Sequence, residues 1–170
     1  MRKSILNGRN ILAVDDEPDV LTILEEEILG ACPDTKIDKA TSYQGAADLL
    51  KSRNYDLVIL DIMGVRGFDL LDLAVSRGIP VAMLTAHSLN PESLKRSYEM
   101  KARAYLPKEK LGEIVPFLED ILEDTDVSSG WARTMKRLDN YFEKRWGGDW
   151  VKSDPAFFQN FNTTIGRIKL

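Results

Sequence analysis

The sequence predicts an α/β fold built on a parallel sheet, and three observations carry that prediction. Short apolar runs alternate with helical patterns five times along the chain. Four of the five runs are apolar almost throughout rather than at every second residue, as strands covered on both faces are. Residues able to do chemistry stand at the ends of four of the five: Asp15 and Asp16, Asp61, Thr85, and Lys108 just past the last.

The elements follow in order. Asn10 to Val14 reads as the first strand. Pro18 opens a helix to about Leu29, with Val20, Leu21, Leu24 and Ile28 at helical spacing. Lys36 to Ala40 is a weak second strand, and Ser42 caps a helix through Ala46, Ala47, Leu49 and Leu50. Leu57 to Leu60 runs into Asp61, and a short helix, Phe68 to Ser76, stops at Gly78. Ile79 to Leu84 ends at Thr85, Pro91 to Met100 is helical, Ala102 to Leu106 is the fifth strand, and a helix from about Leu111 to Leu122 follows. Right-handed crossovers bring the C-terminal ends of all five strands to one edge, where ligands collect.

Composition narrows the function classes. A net charge of −4 gives no reason to expect nucleic-acid binding by the whole chain. The one cysteine, Cys32, excludes an intrachain disulfide and suits a reducing compartment. Met1 to Asn10 is polar and basic, unlike a secretory signal, and no apolar run is long enough to span a bilayer. A cytoplasmic location, with no membrane partner, is expected.

Three carboxylates at one edge repel each other unless a cation sits among them, and hard oxygen donors suit Mg²⁺. A carboxylate is also a nucleophile toward phosphorus, and an ammonium, a hydroxyl and a metal stabilise the charge that phosphoryl transfer develops. Four segments carry a resemblance: Ala13-Val-Asp-Asp-Glu-Pro, Leu57-Val-Ile-Leu-Asp61-Ile-Met, Met83-Leu-Thr85-Ala86 and Ala104-Tyr-Leu-Pro-Lys108. In this order they resemble the signatures of the receiver domain of two-component response regulators, over about Asn10 to Glu123. The resemblance implies a flavodoxin-like five-stranded parallel sheet of order 2-1-3-4-5 with helices on both faces.

It also implies roles, position by position. Asp15 and Asp16 match the acidic pair that holds Mg²⁺, Asp61 the phosphoacceptor, and the Met63 carbonyl the third metal ligand. Thr85 matches the hydroxyl that bonds the phosphoryl group, Lys108 the lysine that pairs with it, and Tyr105 the switch aromatic. Such a domain catalyses its own phosphorylation from a sensor histidine kinase or phosphotransfer protein and is not a turnover enzyme in the ordinary sense. The face of the fourth helix, fifth strand and fifth helix is the expected output surface toward a downstream protein.

Two departures bear on this. Val65 stands where the family usually has proline, and Gly67 arrives about two residues early, so the loop after Asp61 is short. Glu109 stands where a proline commonly follows the lysine; a cis bond before a non-proline residue costs roughly 2.5–4 kcal/mol, so a trans Lys108–Glu109 bond is expected. The resemblance places Met63 and His87 at the positions that tune hydrolysis; Met63 cannot orient a water, His87 is the residue of the two that could, and slow hydrolysis is expected. Two other readings stay open: a pseudo-receiver that binds without phosphorylation, and an aspartyl-nucleophile phosphohydrolase, against which the adjacency of Asp15 and Asp16 counts.

Domain boundaries are read as a receiver over 1–124, a polar linker over 125–130 and an aromatic-rich helical extension over 131–170. Trp131, Met135, Leu138, Phe142 and Trp146 share one helical face, Gly147 and Gly148 end that helix, and Asp154-Pro155 starts another bearing Phe157, Phe158 and Phe161. A segment of this size does not fold alone, so it packs on the receiver, on a second copy in a homodimer, or on a partner.

Overall fold

The computed structural model describes residues 3–123 and 126–166. The strands are β1 (Asn10–Val14), β2 (Lys36–Ala40), β3 (Leu57–Asp61), β4 (Val81–Thr85) and β5 (Ala104–Pro107), all parallel, in the order β2-β1-β3-β4-β5. The helices are α1 (Pro18–Ala31), α2 (Tyr43–Ser52), α3 (Gly67–Ser76), α4 (Pro91–Glu99), α5 (Ile114–Glu123), α6 (Val127–Trp146) and α7 (Pro155–Thr164). β3 and β4 are buried at every residue, which explains why they carry no alternation. β2, at the sheet's edge, is partly exposed over most of its length and reads weakly for that reason.

Local chemistry sets where elements begin. Ser42 accepts a hydrogen bond from Gly45 N at the start of α2, and Asn90 accepts one from Ser93 N at the start of α4. β4 starts at Val81, later than the apolar run suggests, because Ile79 N still bonds Ala74 O in the C-terminal turn of α3 around Gly78 (φ 74°). β5 likewise starts at Ala104, since Ala102 N caps α4 through Ser97 O. The helix expected from Leu111 divides: a 3-10 turn, Lys108–Glu113, precedes α5.

The polar segment 125–130 is not a linker as far as it is described. Asp126 caps α6 by accepting from Ser128 N at 3.1 Å, and Ser128, Ser129 and Gly130 already lie in the helix. Serine and glycine signalled a break here, but the Asp cap and the burial of the next turn outweigh their weak helix propensity.

The extension lies on the receiver. α6 packs against β5 and α5, and the 3-10 turn Trp150–Ser153 packs against α4. Trp131 is fully buried, and its Nε1–H donates to Ala102 O at 2.7 Å. Tyr98 of α4 meets the edges of Trp131 and Phe161 at ring separations of 5.5 and 4.8 Å. Each such aromatic pair adds about 0.5–1.5 kcal/mol beyond burial. Arg137 grips Asp120 of α5 with two donors, at 2.7 and 3.3 Å, and Lys95 pairs with Asp154. Of the places the sequence leaves for the extension, it takes the receiver itself, and it covers the face expected to be the output surface.

Candidate functional site

The polar strand ends do converge. Asp15 and Asp61 are buried and Asp16 is exposed; ligand-capable oxygens of the three lie within 4.8 Å of one another. Lys108 reaches across from the end of β5: its Nζ is 2.9 Å from Asp15 Oδ2, 3.2 Å from Glu17 Oε1 and 3.5 Å from Asp61 Oδ1. One ammonium thus faces three carboxylates, with Asp16 beside them. Glu17 had no role in the sequence reading; its signal was a third acid running on from Asp15 and Asp16, and its backbone N–H donates to Asp15 Oδ1 at 2.9 Å.

The electrostatics follow from burial. Desolvation, and then the charge of Asp15, push Asp61 up to about 6, with Lys108 opposing. Desolvation also raises Asp15, against its contacts with Lys108. Burial opposes the charge on Lys108, yet Asp15 and Asp61 outweigh it and hold the ammonium above its ordinary pKa. Asp15 Oδ2 is buried and, despite the nearby ammonium, has no aligned hydrogen bond. An excess of buried anionic oxygen with an unsatisfied lone pair is what a hard divalent cation fits.

The short loop after Asp61 closes through two glycines, for different reasons. Gly64 has φ 83°, and a Cβ there would stand 2.2 Å from Asp16 Oδ2. Gly67 has an ordinary φ, but a Cβ would stand 2.0 Å from the Asp61 carbonyl oxygen, because its N–H turns back to Ile62 O. Val65, in place of the proline, is buried, and the Met63 side chain is 54 % exposed. Among the described residues no peptide bond is cis, so Lys108–Glu109 is trans as expected, and Lys108 still reaches the acids.

Thr85 follows Leu84, the register partner of Asp61 on β4; it is buried, and its Oγ1 accepts from Ser88 N at 3.1 Å. Tyr105 points inward and is fully buried, which pushes its hydroxyl up to about 12. That hydroxyl accepts from Asn90 N at 3.2 Å and lies 2.5 Å from Ser93 Oγ. The loop after Thr85 is thereby pinned at Ser88 and Asn90. His87 is exposed.

The profile of the response regulator receiver domain matches residues 11–144. The chain belongs to that family. It is a receiver domain of two-component systems, and the match runs past α5 into α6. The receiver is 39 % identical over 85 residues to the two-component response regulator ARR18 of Arabidopsis thaliana, a match covering 48 % of this chain and only 13 % of that protein. A putative response regulator from Chloroflexus aurantiacus shares the fold at 25 % identity and a TM-score of 0.61, over 69 % of this chain and all of that one. The NtrX receiver domain of Brucella abortus does so at 27 % identity and a TM-score of 0.60, over 68 % and 99 %. Among the described residues no helix is long and apolar enough to cross a membrane.

Proposed function

We propose that this receiver is phosphorylated on Asp61 and that the phosphoryl group acts as a conformational signal for protein–protein contacts. The observation that carries the reading is Asp61 at the end of a fully buried strand, with Asp15 and Asp16 on one side and Lys108 Nζ 3.5 Å away on the other. Asp15, Asp16 and the Met63 carbonyl would hold Mg²⁺ beside Asp61. Bound there, the ion supplies positive charge to the carboxylates and to the phosphoryl oxygens.

An Asp61 oxygen attacks the phosphorus of a phosphohistidine on a sensor kinase or phosphotransfer protein. The P–N bond breaks as the P–O bond forms, and the departing imidazole takes up a proton. Lys108 has two other acids to leave, Asp15 and Glu17, and turns toward the new charge. Thr85 donates its hydroxyl to a phosphoryl oxygen. Hydrolysis is slow, since the Met63 thioether side chain, exposed beside the site, has no group that would orient a water. The buried thiol of Cys32 and the absence of disulfide chemistry suit the cytoplasm.

Intact mass after incubation with acetyl phosphate and Mg²⁺ tests the reading. The expected result is a gain of one phosphoryl group that needs the metal and is lost in Asp61→Asn. A folded wild-type protein that gains nothing with Mg²⁺ present would leave a pseudo-receiver.

A further inference from the structure

Glu17 stands at the N-cap of α1, yet its side chain caps nothing. Ser, Thr, Asp and Asn are the residues that cap from this position, and Pro18 after it has no N–H to satisfy. The side chain turns instead to Lys108, with Oε1 3.2 Å from Nζ. The backbone of the same residue acts on Asp15: Glu17 N–H donates to Asp15 Oδ1 at 2.9 Å. That commits one Asp15 oxygen and leaves Oδ2 for a cation, and Lys108 Nζ stands 2.9 Å from it.

A divalent cation held by Asp15, Asp16 and Asp61 would therefore compete with the Lys108 ammonium for one carboxylate oxygen. Two cations at such range repel, the more so where water is scarce, and the Lys108 side chain is only 9 % exposed. The ammonium then needs another anionic seat. Asp61 is no alternative, since it belongs to the same metal set. Of the three carboxylates around Nζ, Glu17 alone lies outside that set, and its side chain is 53 % exposed against 0 and 5 % for Asp15 and Asp61.

We propose that Glu17 is a positioning residue for metal binding: it receives the Lys108 ammonium when Asp15 Oδ2 goes to Mg²⁺, and so lets both cations share the edge. The proposal rests on the Mg²⁺ reading given above. Glu17 acts through Lys108, and both consequences of losing its carboxylate have the same sign. Lys108 would fall back wholly on Asp15 and Asp61, and the edge would lose a negative charge; each weakens Mg²⁺ binding. Reach matters as well as charge. An aspartate here is one methylene shorter, and it would accept from the first N–H groups of α1, as N-cap aspartates do, and give up the lysine.

The test is a Mg²⁺ titration of the full chain at fixed ionic strength, followed by the amide resonances of residues 62–64. Glu17→Gln keeps the length and loses the charge, whereas Glu17→Asp keeps the charge and loses the reach. Each is expected to weaken Mg²⁺ binding by about three- to fivefold, the scale of a partly exposed ion pair. The denaturant midpoint of Glu17→Asp should be no lower than that of the wild type, which separates the effect from damage to α1. Lys108→Met removes the competitor, so it should bind Mg²⁺ more tightly than the wild type. In that background either change at Glu17 should alter the affinity by less than about 1.5-fold, since only screened charge is left. If Glu17→Asp binds as the wild type does and Glu17→Gln alone is weaker, the carboxylate acts as a charge and not as a seat, and the proposal fails. It fails too if both variants keep wild-type affinity, or if their loss persists in Lys108→Met; the metal site itself then stands. A folded wild type with no Mg²⁺-dependent shift overturns the metal reading and this proposal together.

Discussion

The acidic edge of the sheet and the covered face of α4, β5 and α5 are both buried, yet they are built in opposite ways. The edge gathers three carboxylates around one ammonium, with a fourth, Asp16, beside them. The covered face spends its burial on rings, each against the edge or face of another, and gives the polar atoms of Trp131 and Asp120 partners. Cohesion belongs to the second region. The first is held in a state that the fold tolerates rather than one it favours, which suits the cation and phosphoryl group proposed for it.

The sharpest way to break that contrast is Trp131→Ala. Removing a fully buried indole and its bond to Ala102 O should cost about 3–5 kcal/mol, seen as a lower denaturant midpoint. A loss below 1 kcal/mol would mean that the extension adds little to cohesion. The converse substitution is Asp61→Asn, which should stabilise the metal-free protein near pH 7 by about 1–3 kcal/mol, because it removes one member of a repelling set.

The pH dependence carries the same sign. The folded-state pKa of Asp61, about 6, lies above the ordinary 3.8, so between those values the folded protein holds a proton that the unfolded chain has released. Metal-free stability from this group therefore rises as the pH falls from 6 toward 4, and is lost as the pH rises again. Thermal melts across that interval check it, and in Asp61→Asn this contribution should vanish.

Gly67→Ala should destabilise by about 1–3 kcal/mol, since a Cβ would meet the Asp61 carbonyl oxygen, and should weaken Mg²⁺ binding through the same displacement. Calorimetry with Mg²⁺ reads the second effect. The smallest effect is spectroscopic. Tyr105, pushed up to about 12, should still be protonated at pH 11, where exposed phenols have ionised. Absorbance near 295 nm, compared between wild type and Tyr105→Phe, would show it titrating late.

The architecture and the site could be read from the chain because each rests on strong local signals. Short continuous apolar runs bounded by turn residues suit interior strands, and Asp15, Asp61, Thr85 and Lys108 fall at or just past their ends by sequence position alone. The aromatic face of α6 could be read for the same reason, as could Asp154 capping α7 at Phe157 N. What covers that face could not. Trp131, Phe142 and Phe161 require some apolar surface, and helical spacing does not name it; Tyr98 and Tyr105, their partners, are far away in the chain. Ser128 to Gly130 misled because their breaking tendency is small beside a capping aspartate and a buried following turn.

Trp131, Trp146 and Trp150 are the chain's only tryptophans, and all three belong to the segment laid over α4, β5 and α5. Indole emission from this protein therefore reports on that segment and nothing else, with no label added. The receiver sheet, which holds none, is silent in the same spectrum. Departure of the extension would shift the emission to longer wavelength while the far-ultraviolet signal of the α/β fold persisted. Unfolding of the whole chain would change both at once.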